Sequence, residues 1–220
     1  MSAGRAGGVF KDSRTRPTYR DGHPIGASGG SPRPRVGTMT AVIPDSVRLA
    51  LPTEAETIAA LQRRAWVAQL PEQASNAMLA AVDLSEMTHS WQEAIVRPPL
   101  AQYRVLVAVG TDRITGFAAI GPSDDPDADP EKDGLVAEFV IDPVAQGHGH
   151  GSRLLNAVAD TLRADGFERA TWWVRSTDDV LLGFLRSAGW DADGAHAEVA
   201  MSEEGPRLKL SRFHTALVDH

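Results

Sequence analysis

The chain has 220 residues, 42% of them hydrophobic, enough for one domain of ordinary size with a sizeable core. It contains no cysteine, which excludes disulfides, thiolate-bound zinc and thiol nucleophiles, so any chemistry must come from carboxylates, histidines, hydroxyls or backbone. A net charge of −7 argues against a nucleic-acid surface, and no run approaches the roughly 18 apolar residues that span a bilayer, so no membrane partner and a cytoplasmic address are expected.

Residues 1–45 read as a disordered basic tail, rich in Gly, Pro, Ser and Arg and without apolar periodicity. The first 40 hold seven basic and two acidic side chains, so they carry +5 and leave −12 on the remainder. Met39 is an alternative start, and the folded domain is expected over 46–220. Its first strand is VRLAL. Thr53 followed three residues later by Glu56 reads as a capping box, opening a helix that buries Ile58, Leu61, Ala65 and Ala68 and exposes Arg63 and Arg64. A second helical region covers about 74–96 and ends before Pro98 and Pro99. YRVLVAV, the turn GTDR and ITGFAAI form a hairpin. The polar loop PSDDPDADPEKDG leads to a fourth strand, LVAEFVI, ended by Asp142 and Pro143.

After Gly151, SRLLNAVADTLRADGF places Leu154, Leu155, Val158 and Leu162 on one helical face and stops at Gly166. RATWWV is a strand, VLLGFLRSAGW a short helix ended by Gly189, and AHAEVAM and RLKLSRF two closing strands. Trp172 and Trp173 alternate and should pack on opposite faces. This order of elements predicts a mixed sheet with helices on its faces.

The stretch QGHGHGS (146–152) joins the fourth strand to the amphipathic helix. A glycine turn at a helix start leaves several N–H groups unpaired beside the positive end of the helix dipole, which suits a phosphate. His148 and His150 are two apart and have no nearby third ligand, so no metal site is expected. The spacing fits neither a Walker loop nor a dinucleotide fingerprint.

FVIDPVAQGHGHGSRLL resembles motif A of the GNAT (Gcn5-related) N-acetyltransferase superfamily, an apolar strand followed by Gln or Arg, two variable residues, Gly, one variable residue and Gly or Ala. Gln146, Gly149 and Gly151 occupy the defining positions. The resemblance covers about residues 46–217, FLRSAGW and DADGAHAE being similar to motif B and the strand pair after it. It implies an α/β (α+β) fold with a mixed, largely antiparallel sheet flanked by helices, and transfer of an acetyl group from acetyl-CoA directly to an amine of a small molecule or peptide.

By the same resemblance, the pyrophosphate of acetyl-CoA rests on the backbone of Gln146, Gly147, His148, Gly149, His150, Gly151 and Ser152. Its pantetheine arm pairs with Phe139, Val140 and Ile141, and an N–H near Val140 or Ile141 polarises the thioester oxygen. Ser152 is a helix cap or a phosphate contact. Asp178 or Asp179 replaces the cofactor-binding Asn that usually precedes the motif B helix, the other reading being an N-cap. The usual base position is Leu135; the nearest carboxylate, Glu138, is the candidate base, although it faces away from Leu135 unless the strand carries a bulge. The usual acid, a tyrosine after a phenylalanine in motif B, is replaced by Leu185 after Phe184. These two departures motivate a rival reading as a non-catalytic acyl-CoA-binding module. His89 and His196 lie where similar enzymes form the acceptor pocket, the acidic loop reads as solvated or as attracting a cationic acceptor, and a homodimer is left open.

Overall fold

Seven strands form: β1 (Ser46–Leu49), β2 (Arg104–Gly110), β3 (Arg113–Pro122), β4 (Asp133–Ile141), β5 (Arg169–Arg175), β6 (Asp191–Ala200) and β7 (Arg207–Ala216). The helices are α1 (Ala55–Gln69), α2 (Glu72–Ala81), α3 (Leu84–Val96), α4 (His150–Ala164) and α5 (Asp179–Ser187). The computed structural model describes residues 45–111, 113–200 and 207–218. The expected tail, apart from Asp45, lies outside those residues, as do Asp112 of the hairpin turn and Met201 of the sixth strand.

The strands make one sheet of order β1-β2-β3-β4-β5-β7-β6, antiparallel throughout except for the parallel pair β4–β5. Strand alternation divides the core into two layers. Leu106, Ala108, Ala118 and Ile120 pack against α4 and α5, whereas Val105, Val107, Phe117 and Ala119 pack against α1 and α3. Among the described residues no helix is long and apolar enough to cross a membrane.

Three expectations change at the helices. The second helical region is two helices, because the Asp83 carboxylate accepts from Glu86 N at 2.7 Å and caps a new start. The capping box lies two residues earlier than expected: Leu51 N donates to the Glu54 carboxylate at 2.7 Å around a 3₁₀ turn, Pro52–Glu54. Arg48 holds the same carboxylate at 2.6 Å, a pull that Glu56 lacks. Ala68 is exposed, since α1 leaves the sheet after Ala65.

Candidate active site

The site is built around the end of β4. Its ladder to β5 begins at Asp133–Arg169 and ends at Val136–Trp172, while its ladder to β3 continues to Ile141. From Ala137 to Ile141, β4 therefore has no strand partner on its β5 side among the described residues, an open edge inside the sheet. Phe139 packs its ring on Trp172 at 4.9 Å, where the two strands part.

A register shift on β4 sets which side chains meet the gap. Ile120 pairs with Val136 and Ala119 with Glu138, so Ala137 is an extra, bulged residue. Val136, Phe139 and Ile141 belong to the α4 face, and Val140 belongs to the α1 face. The bulge thus resets the alternation and puts Glu138 on the α1 face together with Leu135. Glu138 presents its carboxyl on the same side of the sheet as Leu135.

Glu138 is half-buried, and burial pushes its carboxyl up to about 7, partly offset by hydrogen bonding from Gln62. Gln62 is a buried polar residue of α1, and its Oε1 accepts from the Trp91 indole at 2.9 Å. Sequence reasoning missed Gln62. The available signal was a glutamine on the helical stripe Ile58, Leu61, Gln62, Ala65, where a buried amide must be paired.

The strand then turns through Asp142, which is buried, accepts from Arg64 of α1 at 2.9 Å and donates its N–H to Thr115 O. Beyond it lies the glycine loop. Gly147 and Gly149 have φ of +78° and +79°, a left-handed backbone that a side chain would strain. Gly149 is the N-cap of α4 and brings no side chain to the first-turn amides. Ser152 is accordingly inside the first turn and exposed, not at the cap. A Cβ on Gly151 would lie 3.7 Å from Ile141 and 3.8 Å from Phe184, so the loop, the end of β4 and α5 converge there.

The two histidines separate. His148 is exposed, with Nδ1 2.8 Å from Gln146 O. His150 is buried, packed against Gly110, and its Nδ1 lies 3.1 Å from Arg153. Among the described residues no group of three or more His, Asp or Glu could hold a metal ion.

Asp178 caps α5: one carboxylate oxygen accepts from Leu181 N at 3.1 Å and the other from Arg175 at 2.6 Å. Leu185, at the expected acid position, is buried in the core, and α5 has no tyrosine. His89 is exposed on α3, and His196 is an exposed residue of β6 with Nδ1 3.3 Å from Ser211 Oγ.

The acidic loop is neither free nor simply solvated. Arg212, buried on β7, binds Asp127 at 2.6 Å, Asp193 at 2.6 Å and Asp125 at 3.4 Å, and Trp173 donates to Asp125 at 2.9 Å. Arg212 holds the Asp127 carboxyl well below its usual range, at about 2. Trp172 is in the core and Trp173 on the opposite face, as alternation predicts.

The family model described as "Acetyltransferase (GNAT) family" matches residues 65–190. Solved structures share the fold. The Salmonella typhimurium protein yncA, with its cofactor acetyl-CoA, superposes with a TM-score of 0.62 at 22% identity, over 80% of this chain and 95% of that one. An N-acetyltransferase from Staphylococcus aureus Mu50 gives 0.63 at 16% identity over 79% and 99%. A ribosomal-protein-alanine N-acetyltransferase from Brucella melitensis gives 0.62 at 20% identity over 77% and 98%. No curated protein matches the sequence.

Proposed function

Because the chain belongs to the acetyltransferase (GNAT) family, we propose that it moves the acetyl group of acetyl-CoA directly to an amine, with Glu138 as the general base. The observation that carries this reading is the coincidence of three features at one place: a β4 edge without a strand partner, a helix start without a side-chain cap, and a desolvated carboxyl beside them.

The residues present fit the co-substrate. The amides from Gly147 to Ser152 and the dipole of α4 suit its pyrophosphate, each dipole contact contributing about 0.3–1 kcal/mol. The free edge at Phe139, Val140 and Ile141 suits the amide groups of its pantetheine arm. Acetyl-CoA supplies the activated acetyl group. Asp178 serves this site by capping α5, not through a free carboxylate, because both its oxygens are engaged.

An amine is mostly protonated at neutral pH and cannot attack until it loses a proton. Glu138, ionised above about pH 7, accepts that proton and frees the nitrogen lone pair. A backbone N–H near Val140 or Ile141 would stabilise charge on the acyl oxygen. The C–N bond forms, the C–S bond breaks, the acylated nitrogen releases its remaining extra proton to water, and the sulfur departs as thiolate. With a thiol's ordinary pKa of about 8.5, that thiolate can take its proton from water, which accommodates Leu185 at the acid position.

The test is thiol release from acetyl-CoA with spermidine, amino acids, an aminoglycoside and peptides bearing free N-termini. Turnover with one amine class, lowered about 10²–10⁴-fold by Glu138→Gln, is expected. Micromolar binding of acetyl-CoA without turnover on any of these amines would instead favour the non-catalytic module.

A further inference from the structure

We propose that Gln62 and Trp91 form a positioning relay for Glu138, in which the indole fixes the orientation of the Gln62 amide and the amide holds the carboxyl at the open segment of β4. The proposal rests on Glu138 being the base.

The chemistry of the three groups leaves one arrangement. An indole nitrogen can only donate, so the atom of Gln62 at 2.9 Å from Trp91 Nε1 must be the carbonyl oxygen. The amide NH₂ is then directed away from Trp91; α1, which carries it, packs on β4, and hydrogen bonding from Gln62 is what offsets the burial of the Glu138 carboxyl. Neither amide nor indole can turn elsewhere: Gln62 is 4% exposed and Trp91 1%, and Trp91 is clamped edge-on by Phe117 with ring centroids 5.0 Å apart. A leucine or methionine at 62 would fill the same stripe of α1 without the cost of burying an amide. What glutamine adds is the pair of hydrogen bonds.

The surroundings of Glu138 leave Gln62 as its main polar partner. The β3 residue paired with it is Ala119, and α3 presents the uncharged Trp91. Across the gap, β5 presents Trp173, bound to Asp125, and β7 presents Arg212, bound to Asp125, Asp127 and Asp193; none of these charges contributes to the shift at Glu138. A donor to the ionised carboxylate keeps the base from rising further and so keeps it useful near neutrality.

The experiment is a ¹³C NMR titration of the Glu138 carboxyl in the full chain, with its signal assigned by its loss in Glu138→Gln. In Gln62→Met the midpoint is expected to rise by about half to one unit, because a hydrogen bond to the charged form is lost. Trp91→Phe, which lets the amide turn, should shift it the same way by less. Gln62→Met alone strands the indole N–H. The double variant Gln62→Met/Trp91→Phe removes both partners, should regain stability, and should keep the raised midpoint. With an amine that turns over, the acid limb of kcat/KM is expected to move by the same amount. An unchanged midpoint in both Gln62→Met backgrounds overturns the relay. An acid limb that survives Glu138→Gln overturns the base assignment itself, and with it any catalytic purpose for the relay, whatever the NMR midpoint does.

Discussion

Glu138 keeps a proton in the folded chain up to about pH 7, whereas its ordinary value is 4.5. Between those values the folded state binds more protons than the unfolded state, so the stability contributed is fully present below pH 4.5 and is lost as pH rises through about 7. Glu138→Gln cannot ionise and escapes that loss. We expect it to be more stable than the parent at pH 8 by about 1–3 kcal/mol, with the difference vanishing near pH 4.5, as read by urea unfolding at both pH values. A variant equally stable at pH 8 would mean the carboxyl is not desolvated. The residue itself was legible in the sequence as the nearest carboxylate to the expected base position. Its partner Gln62 was not, because 76 positions separate them and only the packing of α1 on β4 joins them.

At the scale of elements, α4 and its glycine loop were legible because both depend on neighbours within one or two turns: an apolar stripe at helical spacing and glycines at the start. The loop also lends itself to a clean test. Gly151 is a helical position where a Cβ makes only ordinary contacts, and a carboxylate near a helix N-terminus favours folding. Gly151→Glu should therefore fold with unchanged or slightly raised Tm while losing acetyl-CoA affinity by more than about tenfold in calorimetry, from repulsion of phosphate. Gly149→Glu is the poorer probe, because its φ of +79° adds backbone strain of about 1–2 kcal/mol to any effect on binding. The β4 bulge was not legible in the same way. Strand alternation read from β4 alone puts Glu138 and Leu135 on opposite faces; the pairing with β3 decides otherwise.

Across the whole molecule, α1 and α3 cover one face of β2, β3 and β4, and the β3–β4 loop covers the same face over β5 and β7. Arg212 holds that cover in place by binding carboxylates from the loop and from β6, and its guanidinium lies 5.6 Å from the Trp173 ring. A bulge at Asp193–Ala195, with Gly194 at φ +86°, brings Asp193 to it. Arg212→Met leaves the buried Asp125 without its cation and is expected to cost about 3–5 kcal/mol in urea unfolding. Limited proteolysis should then cut the loop between Ser123 and Asp133. Arg212→Lys keeps the charge but not the forked geometry, and should recover only part of the loss. The sequence offered one hint, an arginine in register with Leu208 and Leu210 on β7.

The sequence by itself determined the order of elements, the sheet's composition and the glycine loop at the start of α4, since these follow from periodicity, capping and glycine placement within short spans of chain. Only the tertiary structure decided on which face of the sheet Glu138 lies, what packs beside it, and where the acidic loop's charges go. Those depend on a one-residue shift between paired strands and on contacts between segments distant in sequence. A bulge that reverses every side chain beyond it leaves no mark in the local pattern until a second strand is there to measure it against.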